Sequence, residues 1–252
     1  MKKKVLLKIK RQESPKSQAY WEEFEIDYRE KLNIIICLTD IRENPINKQG
    51  KKTTPVAFEQ ACLEEVCGSC TMLINGKPRQ ACSTLVDDLL KENPNYITLA
   101  PLTKFPLVRD LVVDRSKIFD NFKKVKGWVP VDGTFFIGRG PRMSPNDQQI
   151  AYDLARCIAC GCCMESCPQF NESTDFIGPA SINQVRLFNM HPIGKMHKHE
   201  RLEALLKKGG ITTCGNAQNC VRVCPKEIPL TTSIATLNWD TSIYGIVSWL
   251  KK

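Results

Sequence analysis

Residues 1–105 carry apolar positions that mostly alternate with polar ones, a pattern typical of short β-strands. Asn75-Gly76, between two such segments, is the dipeptide most typical of a tight β-hairpin. Asn33–Glu43 differs, because its apolar residues recur at helical spacing and Pro45 follows it. The sequence therefore predicts a small mixed sheet wrapped on one helix. The predicted strands are Val5–Lys10, Trp21–Tyr28, Thr71–Ile74, Lys77–Cys82 and Ile97–Leu99.

The apolar period changes to that of helices after residue 106. Leu107–Val125 is predicted to be a helical connector, and a loop rich in proline and glycine is predicted over 127–145. We therefore predict an α+β protein with domains at 1–106 and 107–252. The second domain is expected to be all-α, with candidate helices at Gln148–Arg156, Ile182–Asn189, His197–Lys207 and Leu230–Leu237.

The composition is that of a folded protein without a membrane span. Of the 252 residues, 42% are hydrophobic and 25% are charged, which allows a buried core. No run approaches the about 18 consecutive apolar residues that a membrane helix requires. The N-terminal segment lacks leader features, so we expect an unprocessed cytosolic chain whose 13 cysteines do not form disulfides. The formal net charge of +9 is spread along the whole chain, which does not predict nucleic-acid binding.

Four cysteines of the first domain have the spacing C-x4-C-x2-C followed by a distant fourth, the signature of a plant-type [2Fe–2S] site. They are Cys62, Cys67, Cys70 and Cys82. Gly68 and Ser69 lie between these cysteines, and such small residues let backbone N–H groups turn towards the cluster sulfurs. Structural zinc is the alternative, although zinc favours paired C-x2-C knuckles and this group contains only one such pair.

Two further cysteine runs share one template, C-x2-C-x2-C-x3-C-P, in which the fourth cysteine ligates the other of two clusters. The first run matches it completely, whereas Ala217 stands at the second cysteine position of the later run. Exchanging the fourth ligands predicts one complete [4Fe–4S] site and one site with three thiolates. The complete site consists of Cys157, Cys160, Cys163 and Cys224, and the incomplete one of Cys167, Cys214 and Cys220.

The alanine methyl of Ala217 would face the vacant iron corner of the incomplete site, which suits a [3Fe–4S] cluster. A labile four-iron centre, with water or another residue on its fourth iron, is the alternative. Two cysteines are left over. Cys37 lies in an apolar helix and is expected to be a small buried hydrophobe, and Cys162 is expected to pack beside the second site.

With these motifs the chain resembles the iron–sulfur subunit of succinate dehydrogenase and fumarate reductase over nearly its whole length. The resemblance is carried by residues 62–70 (CLEEVCGSC), 214–220 (CGNAQNC) and 228–235 (IPLTTSIA). Residues 184–189 (QVRLFN) and 52–55 (KTTP) are similar to the form of Gram-positive bacteria with a di-haem cytochrome b anchor. The family implies a plant-type ferredoxin-like (β-grasp) domain followed by a bacterial-ferredoxin-like helical domain.

The resemblance also implies a function and partners. The chain would be the electron-transfer subunit of a membrane-bound succinate:quinone oxidoreductase of the citric acid cycle and respiratory chain. It would pass electrons from the FAD of a flavoprotein subunit through 2Fe–2S, 4Fe–4S and 3Fe–4S clusters to a membrane cytochrome b subunit with haem b, and on to quinone. It would be held peripherally by this anchor on the cytoplasmic face of a bacterial membrane. The chain has no G-x-G-x-x-G fingerprint and no catalytic dyad, so no catalytic residue is predicted on it.

One departure from the family bears on the quinone. Relatives that reduce ubiquinone typically have a tryptophan five residues after the cysteine of the first C-P, and a histidine just after the first cysteine of the later run. Here these positions are Glu172 and Gly215. Menaquinone, served through the haems of the anchor, is therefore the favoured quinone.

The sequence leaves several alternatives open. The same electron path run in reverse would make the complex a quinol:fumarate reductase. A structural or sensing iron–sulfur or zinc module is another alternative, although it would need only one labile centre. A stand-alone ferredoxin is a third, although it would not need two domains. For the aromatic-rich segment Trp239–Trp249, packing under the helical domain and contact with the membrane anchor or headgroup zone are both open.

Overall fold

The computed structural model describes residues 3–129 and 142–251. Most of the predicted proline- and glycine-rich loop lies at 130–141, outside the described residues. The described chain packs as two compact units. Unit 1 comprises residues 3–115 and 158–166, and unit 2 comprises 116–129, 142–157 and 167–251. The domain limits 1–106 and 107–252 stay a prediction.

Unit 1 is built on a five-stranded mixed sheet with the strand order β2-β1-β5-β3-β4. Antiparallel pairing joins β1 to β2 and β3 to both β4 and β5, whereas β5 runs parallel to β1. The predicted alternation is confirmed in β1, where Val5, Leu7 and Ile9 are buried. The strands are β1 (Lys4–Arg11), β2 (Tyr20–Asp27), β3 (Thr71–Ile74), β4 (Lys77–Gln80) and β5 (Ile97–Ala100).

Two helices of unit 1 lie between strands of this sheet in the sequence, one after β2 and one after β4. The predicted helix is present as α1 (Ile34–Glu43), and the Asn33 side chain caps it by accepting a hydrogen bond from the Ile36 N–H at 2.9 Å. Its apolar face buries Leu38 and Ile41 in the same core as the inner face of the sheet. A short second helix, α2 (Val86–Glu92), was not predicted.

The predicted helix over Leu107–Val125 is wrong in its first part. This segment forms two short antiparallel strands, β6 (Leu107–Arg109) and β7 (Val112–Val113), before α3 (Ser116–Lys124) begins. Asp110 has a positive φ of 46°, which reverses the chain between the two strands. Its carboxylate accepts hydrogen bonds from the N–H groups of Gln12 and Ala57, so tertiary contacts override the helical spacing of the apolar residues.

The described part of unit 2 is helical, as predicted. Helix α6 packs against α3, α4 and α9, and the buried Asn183 side chain joins three of these helices. It donates to the Leu154 carbonyl of α4 at 3.0 Å and accepts from the Ser233 hydroxyl of α9 at 3.3 Å. The helices beyond α3 are α4 (Pro145–Ala155), α6 (Gly178–Met190), α7 (Lys198–Leu206), α8 (Asn219–Arg222) and α9 (Leu230–Leu250), while α5 (Cys162–Glu165) lies in unit 1.

Helix α9 continues well beyond the predicted end at Leu237. Its first half is packed, with Leu230, Ile234 and Leu237 buried, but Trp239, Trp249 and Leu250 are 70%, 74% and 69% exposed. The interpretation that the last segment packs under the helical domain is therefore wrong for most of these side chains. Among the described residues, no helix is both long and apolar enough to cross a membrane.

Candidate metal centres

The first group of cysteines lies on the loop before β3 and on the residue pair that follows β4. A backbone hydrogen bond joins the two ends, because the Ala81 N–H donates to the Cys70 carbonyl at 3.1 Å. The Asn33 side-chain amide donates to the Cys82 carbonyl at 2.9 Å. Cys70 and Cys82 are buried, whereas Cys62 is half-buried and Cys67 exposed. The hairpin therefore returns the distant fourth cysteine to the loop that carries the other three.

The backbone of this loop points N–H groups at the cysteine sulfurs. Glu64 and Val66 each donate to Cys62 Sγ at 3.4 Å, and Ser69 donates to Cys67 Sγ at 3.4 Å. Leu63 and Glu65 have positive φ angles of 61° and 58°, which give the loop the concave shape typical of an anion-binding nest. These donors fit a cluster whose sulfurs carry negative charge.

The pKa values of two thiols in this loop are shifted in opposite directions. Burial opposes ionisation of Cys67, but hydrogen bonds from Ser69 and Cys62 outweigh it and lower the pKa of Cys67 to about 6. Burial raises the pKa of the Cys70 thiol to about 12. A metal ligand must be a thiolate, and the hydrogen bonds to Cys67 favour this form.

The second run is divided between the units, because Cys160, Cys162 and Cys163 lie in unit 1 and Cys157 and Cys167 in unit 2. Within unit 1 this run forms the short helix α5, which Gly161 precedes with a φ of 89°. Cys162 is fully buried and accepts from the Gln80 amide at 3.7 Å, as expected for a residue that packs beside the site. Cys37 is also fully buried, and burial raises its pKa to about 12.

Glu165 anchors α5 to unit 1 and was not singled out from the sequence. Its buried carboxylate accepts hydrogen bonds from the Thr103 N–H at 2.9 Å, the Thr103 hydroxyl at 2.6 Å and the Lys104 N–H at 3.1 Å. This places the segment that carries Cys160 and Cys163 firmly beside the chain that follows β5.

The last group lies within unit 2. Cys167, Cys214 and Cys220 line one pocket, and Ala217 and Gln169 line it with them. Burial, together with the nearby charges of Cys167 and Cys214, raises the pKa of Cys220 to about 11. The pocket therefore offers three thiols and a methyl group, the donor set of a cluster that lacks one corner iron.

No group of three or more histidine, cysteine, aspartate or glutamate side chains in residues 3–129 and 142–251 is arranged to hold one metal ion. Ligands of an iron–sulfur cluster surround a multi-atom core instead of converging on one atom. A zinc knuckle would require four close, tetrahedral ligands, so metal analysis separates the two alternatives for the first group.

Comparison with known proteins agrees with this arrangement. Residues 6–120 match the family of 2Fe-2S iron-sulfur cluster binding domains, and residues 153–228 match the 4Fe-4S dicluster domain family. A solved structure of the Mycobacterium smegmatis Sdh1 complex in the apo form contains a chain of the same fold. The TM-score is 0.81 at 22% identity, over 96% of this chain and 97% of that one.

Two curated relatives cover almost the whole chain. The succinate dehydrogenase iron-sulfur subunit of Bacillus subtilis is 57% identical over 235 residues, 93% of this chain and 91% of the relative. The fumarate reductase iron-sulfur subunit of Wolinella succinogenes is 33% identical over 227 residues, which are 89% of this chain and 91% of the relative. On these similarities, with its 2Fe–2S domain and its dicluster domain, the chain belongs to the family of electron-transferring iron–sulfur subunits of succinate dehydrogenase and fumarate reductase.

Proposed function

We propose that the chain is the electron-transfer subunit of a membrane-bound succinate:quinone oxidoreductase, linking the FAD of a flavoprotein subunit to a membrane cytochrome b subunit and menaquinone. When bound, its three clusters supply one-electron steps between a two-electron flavin and the quinone. The chain itself holds these groups and sets the charge around them.

The ligand sets follow from the cysteine spacing. The 2Fe–2S cluster takes Cys62, Cys67, Cys70 and Cys82; the 4Fe–4S cluster takes Cys157, Cys160, Cys163 and Cys224; and the 3Fe–4S cluster takes Cys167, Cys214 and Cys220. The observation that carries the proposal is the pocket of unit 2, where three cysteines share the lining with Ala217. A cluster bound there has no fourth thiolate within the pocket lining, which favours three irons over four.

The residues at the two positions typical of ubiquinone enzymes support menaquinone. Glu172 is exposed, and Lys117 holds its backbone by donating to the carbonyls of Asn171 at 2.7 Å and Glu172 at 2.8 Å. A Cβ atom at Gly215 would lie 2.8 Å from the Gln169 amide nitrogen, so a side chain at this position would displace the end of Gln169. Neither position provides the aromatic ring or imidazole of a ubiquinone pocket.

We infer that the subunit lies peripherally on the cytoplasmic face of a bacterial membrane, held by the cytochrome b anchor. The exposed Trp239, Trp249 and Leu250 and the Lys251 that ends α9 support contact there, because tryptophan and lysine favour the membrane interface. The direction of succinate oxidation is supported by the identity of 57% to a succinate dehydrogenase subunit against 33% to a fumarate reductase subunit.

Low-temperature EPR of the anaerobically purified complex tests the proposal. We expect a signal in the oxidised sample that disappears on mild reduction, followed by a [2Fe–2S] signal on further reduction. An oxidised sample without a signal would contradict the three-iron assignment, and zinc in the metal analysis would contradict the electron path as a whole. For the quinone, a menaquinol analogue should inhibit quinone-linked turnover and leave flavin-to-dye activity intact.

A further inference from the structure

Arg115 holds the loop of the first cysteine group from the side of unit 1 where β7 ends. Its guanidinium donates to the Gly68 carbonyl and, at 3.1 Å, to the Ser69 carbonyl, and it forms an ion pair with Glu59. The Arg115 side chain is only 16% exposed. A fixed positive charge therefore lies against the backbone between Cys67 and Cys70.

The same loop touches the second cysteine run at Gly68. A Cβ atom there would lie 2.8 Å from the Ile158 carbonyl oxygen, 2.9 Å from Cys160 Cα and 3.0 Å from Cys160 Cβ. Gly68 also has a φ of 75°, which side-chain-bearing residues rarely adopt. The chain thus brings the backbone of two cluster-binding segments into direct contact, with Arg115 hydrogen-bonded to the contact residue.

The charge of Arg115 reaches both sides of this contact. On the side of the second run, the Gly68 backbone that Arg115 binds lies directly against the Ile158 carbonyl and the Cys160 backbone. On the other side the guanidinium binds the carbonyls of Gly68 and Ser69 directly. Glu59 opposes this charge only in part, because its side chain is 43% exposed and solvated.

We propose that Arg115 is a positioning residue that raises the reduction potentials of the clusters on both sides of the Gly68–Cys160 contact, where the electron crosses between them. The inference rests on the ligand assignment of the proposed function. In the step, one electron leaves the group held by Cys67 and Cys70 and one electron enters the group held by Cys160, with no bond or proton moved.

The physical basis is the charge that each reduction adds. An extra electron makes a cluster more negative, and a buried cation nearby stabilises this state, since interactions between charges are stronger away from water. The same cation lowers the repulsion between electrons on two neighbouring clusters. Arg115 also holds the loop side of the contact in place, because its planar fork binds two successive carbonyls of the loop.

EPR-monitored redox titration of the assembled complex tests the proposal with three variants and a control. In Arg115→Gln we expect both midpoint potentials to move to lower values, and in Arg115→Lys, which keeps the charge, to remain close to the parent values. Glu59→Gln removes the partial counter-charge from an exposed position and should move both potentials upward. Arg29→Gln, which breaks the exposed ion pair with Asp40 elsewhere in unit 1, should leave both unchanged.

Opposite shifts in Arg115→Gln and Glu59→Gln support the proposal, because a purely structural role predicts no change of sign. Unchanged potentials in both variants, or shifts in the same direction, overturn it. If Arg115→Gln fails to retain its clusters, the sign of the Glu59→Gln shift decides. A parent complex without the three clusters would instead overturn the proposed function, so the two failures are distinguishable.

Discussion

Gly68 meets Cys160 backbone to backbone, so closely that a single methyl group on Gly68 would lie 2.9 Å from Cys160 Cα. Both residues belong to unit 1, although 92 positions of the chain separate them (160 − 68). Backbone atoms cannot move aside as the end of a flexible side chain can. The contact therefore sets how closely the loop of the first group approaches the second cysteine run.

Replacing Gly68 with alanine is expected to separate these two segments and to weaken both sites. The variant should lose about 1–2 kcal/mol from the positive φ alone and more from the collision. We expect a lower temperature of cluster bleaching and slower reduction of the second cluster by the first. Gly50→Ala is the matched control, because Gly50 has a φ of 78° but a methyl group added there would meet nothing within 4 Å. Equal effects of both substitutions would contradict the importance of the contact.

Replacing Ala217 with cysteine is expected to complete the third site. The new thiol would join Cys167, Cys214 and Cys220 in the lining of one pocket and could hold a fourth iron. The EPR signal of the oxidised complex should disappear, and the iron content should rise. Ala235→Cys, on the exposed side of α9, controls for an added thiol. A signal that persists at full intensity would show that position 217 does not face the vacant corner.

Replacing Glu165 with alanine should loosen the segment that carries Cys160 and Cys163. Three hydrogen bonds to a buried carboxylate would be lost, and the N–H groups of Thr103 and Lys104 would lose their acceptor. We expect a loss of about 3 kcal/mol and a fall of several degrees in the thermal midpoint. Glu203→Ala, which removes an exposed carboxylate on α7, should change the midpoint little. Similar midpoints for the two variants would argue against this anchoring role.

Replacing Arg11 with methionine should destabilise unit 1 more than any surface ion pair does. Arg11 is 1% exposed and binds Glu22 at 2.5 Å and Asp110 at 3.0 Å. Its removal leaves the buried Glu22 carboxylate without the cation it binds, and Asp110 with the more distant Arg109 at 3.8 Å. The cost is expected to be about 3–5 kcal/mol, measured by denaturation of the complex. Lys4→Met, which removes an exposed partner of Glu25, is the control and should cost less than about 1 kcal/mol. A small effect of Arg11→Met would contradict the role of this buried ion pair in the stability of unit 1.

Deleting residues 241–252 should lower retention of the subunit on membranes without bleaching its clusters. The deletion removes Trp249 and Leu250 but leaves the buried first half of α9 and every cluster cysteine in place. Retention is measured as the fraction of subunit that sediments with washed membranes. Trp249→Ser should reproduce part of the loss, whereas Tyr152→Ser, at a 66% exposed site on α4, should not. Normal retention of the truncated chain would contradict contact between this end of α9 and the anchor.

Local signals were sufficient for most elements of the fold. Asn75 and Gly76 both adopt positive φ, 48° and 73°, as a two-residue hairpin requires, and the predicted hairpin is present. Helix α2 gave no such signal, because Leu85 at its N-cap offers no side-chain acceptor and only Val86 and Leu89 are buried. The segment around Asp110 was assigned the wrong structure because distant partners, not its own period, fix its conformation.

The cysteine spacing predicted the candidate ligands, but it could not identify the residues that organise them. Both residues form hydrogen bonds with segments that are far away in the sequence. Arg115 binds Gly68 and Ser69. Glu165 binds Thr103 and Lys104. Neither residue stands in a pattern that indicates its partner. Such contacts become visible only when the chain is folded.

The segment 158–166 belongs to unit 1, although the residues on either side of it belong to unit 2. No single cut in the chain can therefore release either unit whole. During synthesis, the first unit also cannot close when residue 115 leaves the ribosome, although N-terminal domains commonly fold first. It must wait until residue 166 has emerged, and a chain interrupted before that point would expose the loop of Cys62 and Cys67 without the backbone that normally packs against Gly68.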